Sequence, residues 1–257
     1  MLSLHKRIET IPGELKLQKE LSSSPISLVF NCIFNNVKAV IRFDLKPASK
    51  LAIDRKNETM ILKKIMHLDL SPKILYSDLK DGILIWEYIS GTKVRFNIGN
   101  TKKFSLHELG KSLHKVHKTP IHKNSKDIFS NSLSLYNDLL TSPSEKLLMR
   151  KALNLFKELS NDKIRNVFSH NDLHGENIIW NKKFYFLDWE YSSLNHPCFD
   201  IASIIRNFDL DRDQINDFSN GYKSHHEIFD IDVLKRWIKF IEFLDKIWEI
   251  SLLKIIK

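Results

Sequence analysis

A polar loop between two short apolar stretches, followed closely by a carboxylate, constrains this chain more than any other feature. The loop lies in the stretch FSHNDLHGENIIW (168–180), and the carboxylate Asp188 lies in FLDWE (186–190). Asp172 and Asn177 are five residues apart, so a curled loop can direct both side chains into one cleft. Asp188, at the end of the neighbouring predicted strand, can enter the same cleft. The chain must therefore bring this loop and this strand together.

These three side chains suit phosphoryl transfer. One carboxylate can accept the proton of an attacking hydroxyl, while a carboxylate and an amide oxygen can hold Mg²⁺, which prefers oxygen ligands. The Asp172-to-Asn177 spacing equals that of the protein-kinase loop H-R-D-x-x-x-x-N, and Asp188-Trp189-Glu190 stands in the D-F-G position. Asp and Asn also favour ordinary turns. A pattern with a chemical role for each residue is more specific than that preference.

The first ninety residues have the pattern of an antiparallel sheet with one inserted helix. Apolar stretches flank Asn35-Asn36 and again Asp81-Gly82, and both pairs tolerate the positive φ angles of tight hairpin turns. Between the two hairpins, Asp54 can cap a helix over residues 53–67, where apolar residues recur at helical spacing.

After Gly91 the pattern becomes helical. Helices are predicted after Ser105, after Pro143 and over most of the chain beyond residue 197, and two short strands flank the turn near residue 182. We therefore predict an α+β fold with two lobes. Residues 1–90 would form an antiparallel β-sheet N-lobe with one helix, and residues 91–257 a mainly helical C-lobe that carries the catalytic loop.

Composition excludes several other classes of protein. The chain has 257 residues and a net charge of +9, but its basic residues are scattered, so a nucleic-acid partner is not expected. No run of apolar residues is long enough for a transmembrane segment, and the N-terminus lacks the apolar core of a signal peptide. Cys32 and Cys198 are far apart in apolar stretches, which favours a reducing, cytoplasmic location. Composition predicts no oligomeric state.

Around the polar loop and Asp188, the sequence resembles the choline/ethanolamine kinase and aminoglycoside phosphotransferase superfamily, which has a protein-kinase-like fold. HNDLHGENIIW and FYFLDWEYSS are similar to stretches of bacterial choline kinases and thiamine kinases. The similarity continues over NHPCFDIA (195–202) and, more weakly, at Arg42, at Arg55-x-x-Glu58 and at the hinge-like IWEYISG (85–91). It covers residues 15–250, nearly the whole chain.

The resemblance implies a role for each matching residue of the site. Asp172 would be the catalytic base, and Asn177 with Asp188 would hold Mg²⁺. Arg42 would contact the phosphates of ATP and pair with Glu58, in place of the lysine of protein kinases.

The same resemblance implies supporting roles elsewhere. The hinge backbone would bind the adenine of ATP, through Glu87, Tyr88 and Ile89. His170 and Asp200 would brace the catalytic loop. Zinc is a weaker alternative for the spacing of His170, Asp172 and His174, because no further Cys or His completes a site.

The first predicted hairpin departs from the family pattern. Its stretch LSSSPISLVF (21–30) has no glycine where the family has a phosphate-covering loop. Because glycine permits backbone conformations that other residues resist, this loop is more restricted. We still expect the backbone NH groups of Ser22–Ser24 to be able to approach a phosphate.

The acceptor would bind in the helical lobe near Asp172. The candidate residues follow the metal carboxylate or lie on the last predicted helix: Glu190, Tyr191, Asp245 and Trp248. Aromatic faces near carboxylates suit a cationic substrate, and the resembling choline kinases have a similar late helix. Aromatic residues also commonly fill cores, so core packing is the alternative for each of them.

These observations predict an ATP-dependent phosphotransferase acting on the hydroxyl of a small cationic alcohol, of choline-kinase or thiamine-kinase type. The first alternative is an aminoglycoside-type phosphotransferase, which would want an acidic pocket, whereas the C-terminal segment is rich in lysine. The second is a non-catalytic, nucleotide-binding pseudokinase. The missing glycine favours it, and the intact Asp172, Asn177 and Asp188 oppose it.

Overall fold

The N-lobe is built on a five-stranded antiparallel sheet with strand order β1-β2-β3-β5-β4. The protein is represented by a computed structural model that describes residues 3–46, 51, 53–95, 105–120, 128–161, 163–223 and 229–256. Strands β1 to β5 comprise, in order, Leu15–Ser23, Ser27–Phe34, Val37–Asp44, Ile74–Asp78 and Ile83–Glu87. The predicted antiparallel sheet is confirmed.

Both predicted hairpin turns are present in this sheet. Asn35 and Asn36 join β2 to β3 with φ angles of 47° and 66°, and Gly82 lies between β4 and β5 with a φ of 61°. Asn and Gly tolerate this left-handed region better than other residues, which explains why the chain reverses at these points.

In the described part of the N-lobe, two helices accompany the sheet, one more than predicted. Helix α2 (Arg55–Ile65) is the predicted one, and the Asp54 side chain caps it by accepting from the backbone NH of Asn57 at 2.9 Å. A 3₁₀ turn, Met66–Leu68, continues it. The additional helix α1 (Leu4–Glu9) is short, and its Arg7 donates from Nη1 to the carbonyl of Asp44 at 3.0 Å. This contact fastens α1 to the end of β3.

The C-lobe is mainly helical, as predicted. Helices α3 to α8 comprise, in order, Leu106–His117, Ile128–Leu139, Pro143–Leu159, Pro197–Phe208, Arg212–Tyr222 and Ile231–Ile256. Its short strands β6 to β10 comprise Thr92–Lys93, Val167–Ser169, Ile178–Trp180, Phe184–Phe186 and Ser193–Asn195. Strands β6, β8 and β9 form one small sheet and β7 with β10 another, so the polar loop of the C-lobe lies between β7 and β8.

Two hydrophobic clusters stabilise the lobes. The smaller one lies in the N-lobe sheet around Ile41 and Phe43. The larger one extends from α2 through the C-lobe, and it includes the fully buried Trp237 and Phe240 of α8. Those two aromatic residues therefore fill the core rather than line a site. None of the helices within the described ranges combines the length and apolar character needed to cross a membrane.

Candidate active site

The polar loop after β7 is held in its curled form by Asp200 of α6. The two carboxylate oxygens of Asp200 accept from the backbone NH groups of His170 and Asn171, each at 2.8 Å. Asn171 has a φ of 66°, and the backbone bends immediately before Asp172. His117, at the end of α3, places its Nε2 3.0 Å from Asp200 Oδ2. No pattern in the sequence indicated the contribution of His117.

Asp172 and Asn177 lie side by side, as predicted from their spacing. Asn177 donates from Nδ2 to Oδ2 of Asp172 at 2.9 Å and to its backbone carbonyl at 3.0 Å. These bonds direct the amide oxygen of Asn177 away from Asp172. His174 Nε2 lies 3.6 Å from the same Oδ2. Desolvation opposes the charged imidazole, but the Asp172 carboxylate outweighs it and raises the pKa of His174.

Asp188 comes to the same place from the end of β9. The backbone NH of Leu187 donates to the carbonyl of Asn177 at 2.9 Å, and His170 Nε2 donates to the carbonyl of Leu187 at 2.8 Å. Burial lowers the pKa of His170, so its imidazole is neutral and serves as a donor. Asp188 itself has a φ of 59°, and its side chain is 43% exposed. Both hydrogen bonds join the loop to Leu187, the residue directly before this carboxylate.

Arg42 of β3 is bound on two sides by carboxylates. Its Nη1 and Nη2 donate to the two oxygens of Glu58 at 2.9 and 2.5 Å, and its Nε donates to Asp44 Oδ1 at 3.1 Å. Its Nη1 also lies 3.8 Å from Asp188 Oδ1. Burial favours neutral forms here, but mutual attraction outweighs it, so the pKa of Arg42 is raised and that of Glu58 is lowered. The predicted pair of Arg42 with Glu58 is therefore a buried, charged pair.

Sequence reasoning assigned no role to Arg55 or Asp44, which complete this network. Arg55 donates from Nη1 to Glu58 Oε2 at 3.1 Å and also to Glu190, and its Nε lies 3.0 Å from Asp44 Oδ1. Two signals were available. Residues three apart on a helix share a face, which places Arg55 beside Glu58. Residues two apart on a strand also share a face, which places Asp44 beside Arg42.

The donor set at the cleft fits a hard divalent cation. Desolvation and the Glu190 carboxylate raise the pKa of Asp188 well above its usual range, and Arg42 opposes this only in part. A nearby cation stabilises the charged form of a carboxylate in such an environment. Mg²⁺ is commonly held by one or two protein oxygens together with substrate phosphates. Consistent with so few protein ligands, the described residues contain no group of three or more His, Cys, Asp or Glu arranged for a metal.

A cavity of about 530 Å³ opens beside Asp172. The four residues predicted to bind the phosphate-accepting substrate all line it: Glu190, Tyr191, Asp245 and Trp248. Trp248 donates from Nε1 to the Tyr191 hydroxyl at 3.1 Å, so the two aromatic side chains are fixed relative to each other. The cavity therefore combines an aromatic wall with the carboxylate of Asp172.

Two of the cavity carboxylates are already paired with arginine. Asp245 accepts from Arg206 Nη1 at 2.6 Å, and Glu190 is bound by Arg55. Burial outweighs Arg55 at Glu190 and raises the pKa of that carboxyl. Among the described ion pairs, neither of these arginines contacts Asp172. Asp172 is consequently the acidic group of the cavity that is best placed to face a ligand.

The predicted hinge residues follow β5. The backbone NH of Glu87 donates to the carbonyl of Lys73 and that of Tyr88 to the carbonyl of Lys38, both at 3.0 Å. These two NH groups are used inside the N-lobe. They are not available as donors to a nucleotide, whereas Ile89 lies beyond the sheet.

The first hairpin turn uses one of the NH groups that were expected to approach a phosphate, that of Ser24, within the turn itself. The backbone NH of Ser24 donates to the carbonyl of Ser27 at 2.9 Å, which closes the turn between β1 and β2. The reason is local. A serine at the start of a tight turn makes hydrogen bonds to the backbone of that turn.

Two lobes, with the loop and strand end facing a cleft between them, define the class of this protein: it is a kinase-like phosphotransferase. A family model described as Choline/ethanolamine kinase matches residues 23–244. Because this match covers most of the chain, the protein belongs to the choline/ethanolamine kinase family.

Curated relatives and solved structures agree with this family. The chain is 26% identical to Protein LicA of Haemophilus influenzae, over 70% of this chain and 69% of the relative. It is 27% identical to a LicA homolog of Metamycoplasma hominis, over 78% and 82%. The fold is similar to that of choline kinase LicA from Streptococcus pneumoniae, with a TM-score of 0.79 at 20% identity, covering 96% of this chain and 89% of that one. A structure of LicA in complex with AMP has a TM-score of 0.78 at 20% identity, covering 96% and 88%.

Proposed function

We propose that this enzyme transfers the γ-phosphate of ATP to the hydroxyl of a small cationic alcohol, with choline as the first candidate. One observation carries the proposal: Asp172 lines the same cavity as Tyr191 and Trp248. An aromatic wall attracts a quaternary ammonium through the negative faces of its rings. The carboxylate of Asp172 adds a charge of the opposite sign next to the place where a hydroxyl would react.

Asp172 is the proposed base. Its Oδ2 accepts from Asn177, which fixes the direction of the carboxylate. As the acceptor oxygen attacks the γ-phosphorus, the new O–P bond forms and the bond to the ADP oxygen breaks. The hydroxyl proton passes to Asp172. Positioning of the two reactants accounts for much of the rate in such reactions.

Asn177 and Asp188 are the proposed Mg²⁺ ligands. When bound, Mg²⁺ supplies positive charge that neutralises the phosphate oxygens during transfer. The amide oxygen of Asn177 faces away from Asp172, and the carboxylate of Asp188 is exposed to the cleft. The two side chains therefore offer the oxygen donors that Mg²⁺ prefers.

The N-lobe is the proposed nucleotide-binding lobe. The guanidinium of Arg42, which Glu58 and Asp44 hold in place, lies next to Asp188 and provides positive charge for ATP phosphates. At the hinge, we assign the NH donor for adenine to Ile89, because Glu87 and Tyr88 use their NH groups within the lobe. His170 and Asp200 support the loop that carries Asp172.

Choline is proposed ahead of thiamine because the similar proteins include LicA choline kinases. Both alcohols are cations, so the aromatic wall alone does not separate them.

The predicted lobe boundary near residue 90, the cytoplasmic location and the absence of a nucleic-acid partner stay predictions from the sequence.

The test is an ADP-release assay with Mg²⁺-ATP and a panel of choline, ethanolamine, thiamine and aminoglycosides. We expect turnover with choline, and we expect Asp172→Ala to lose at least about a hundredfold in kcat, as for removal of a general base. Asp138→Ala, an exposed carboxylate of α4, is the matched control and should keep full activity. Nucleotide binding without turnover of any acceptor would favour a pseudokinase, and turnover of an aminoglycoside alone would overturn the choline assignment.

A further inference from the structure

The turn between β1 and β2 leaves none of its backbone NH groups for a ligand. Ser24 donates its NH to the carbonyl of Ser27 at 2.9 Å, and Pro25 has no NH. Ile26 and Ser27 donate their NH groups to Ser24 Oγ, at 3.3 and 3.1 Å. A phosphate-binding loop works by directing unpaired NH groups at the anion. The turn therefore lacks the unpaired NH groups of a phosphate-binding loop.

Ile26 shows what the turn does. Its carbonyl accepts from the backbone NH of Leu45 at 2.8 Å, so both of its backbone polar groups are fixed. Its side chain lines the cavity beside Asp172 and packs against the large cluster that extends through the C-lobe. Leu28 and Phe30, which alternate along β2 after Ile26, pack instead against the small N-lobe cluster. The turn thus carries one N-lobe side chain across the cleft to the acceptor cavity.

We infer that Ile26 is a specificity-determining residue that contacts the acceptor, and that Ser24 is a positioning residue that holds Ile26 against the cavity. This inference rests on the proposed function. The Ile26 side chain offers methyl and methylene groups only. It suits the methyl groups of a quaternary ammonium, whereas a primary ammonium or a sugar hydroxyl placed against it would lose hydration without gaining a hydrogen bond.

The contact therefore predicts a preference. Choline should be used better than ethanolamine, and part of that preference should depend on Ile26. A polar aminoglycoside should be disfavoured at the same wall. When two substrates differ by a few methyl groups, an apolar pocket typically discriminates between them by about tenfold.

Ile26→Ala is the first test. We expect the KM for choline to rise about tenfold and the preference for choline over ethanolamine to shrink, with the KM for ATP unchanged. Ile26→Val, which keeps a branched side chain and carries less risk to folding, should give a smaller rise in the same direction. Leu21→Ala is the matched control, because Leu21 lies on the same hairpin but is 47% exposed. It should leave both KM values unchanged.

Ser24 separates this inference from a role in phosphate binding. Ser24→Ala removes the acceptor of two turn NH groups, so we expect a higher KM for choline, an unchanged KM for ATP, and recovery in Ser24→Thr. If Ile26→Ala or Ser24→Ala instead changes the KM for ATP alone, the inference is wrong while the proposed function stands. If the wild-type enzyme neither binds choline in calorimetry with a non-hydrolysable ATP analogue nor turns it over, the proposed function fails, and this inference fails with it.

Discussion

Arg55 of α2 is paired with Glu190, which lies 135 residues later in the sequence and lines the acceptor cavity. The same guanidinium contacts Glu58, the partner of Arg42. One partly buried arginine therefore joins the charged groups on the nucleotide side to a wall of the acceptor cavity. Neither lobe contains this network alone.

Removing this arginine should destabilise the protein strongly. Arg55→Met keeps the length of the side chain but leaves the buried Glu190 carboxylate without its cation. Breaking a buried ion pair from one side typically costs about 3–5 kcal/mol. We expect the free energy of unfolding in urea to fall by this amount. The matched control is Arg236→Met, whose pair with Glu158 is exposed and should contribute about 0–1 kcal/mol.

The double variant Arg55→Met/Glu190→Gln tests the cause. Because the second change removes the unpaired charge, the double variant should be more stable than the sum of the two single changes predicts. Strict additivity of the two unfolding free energies would show that the pair does not couple the lobes.

Asp188→Asn should abolish the effect of Mg²⁺ on nucleotide binding. Asn tolerates the positive φ of this position and differs from Asp mainly in charge. In the wild-type protein we expect a non-hydrolysable ATP analogue to raise the Tm more with Mg²⁺ than without it. In Asp188→Asn this difference should vanish, whereas Asp172→Asn should retain it. A full Mg²⁺ effect in Asp188→Asn would remove that residue from the metal site.

The same variant carries a second expectation, for the protein without ligands. Since desolvation and Glu190 raise the pKa of Asp188, its charged form is disfavoured in the folded state. A folded-state pKa above the unfolded one means that stability is lost as pH rises through that pKa. Asp188→Asn should therefore lose less stability than wild type as pH rises from about 4, the ordinary pKa of Asp, towards neutral, and the difference in urea unfolding should be small because the side chain is 43% exposed.

The features that the sequence predicted correctly are local. The turn at Asn35–Asn36 follows from the tolerance of asparagine for positive φ. The proximity of Asp172 and Asn177 follows from their spacing within one curled loop. In each case the residues that decide the structure are close together in the sequence.

The features that it missed depend on distant contacts. His117 and Asp200 meet across 83 residues, and Arg55 and Glu190 across a still longer separation. Nothing in the pattern near His117 distinguishes it from an ordinary helical residue. The turn at Ser24 was missed for a different reason. The Ser24 NH donates to the carbonyl of Ser27, and the Ser24 hydroxyl accepts from the NH groups of Ile26 and Ser27, so the turn satisfies its own backbone.

Substitution of Asp200 should lower both the stability of the protein and its activity, because Asp200 holds the catalytic loop. Asp200→Ala leaves the backbone NH groups of His170 and Asn171 buried without acceptors. Each unsatisfied buried group costs about 1–3 kcal/mol. We expect a matching loss of unfolding free energy in urea and a loss of kcat. Asp200→Asn, which keeps one acceptor oxygen, should lose less of both. Equal effects of the two variants would show that these hydrogen bonds do not hold the loop.

The thiol of Cys32 should be inert in the folded protein. Cys32 is 1% exposed in β2, and burial raises the pKa of its thiol to about 11. Because the thiolate is the reactive form, only about one molecule in a thousand is reactive at pH 8, even before access is considered. Iodoacetamide labelling with peptide mass spectrometry should therefore leave Cys32 unmodified in native protein and label it fully in urea. Rapid native labelling, at a rate close to that of free cysteine, would mean that β2 opens far more often than expected of a strand paired on both sides.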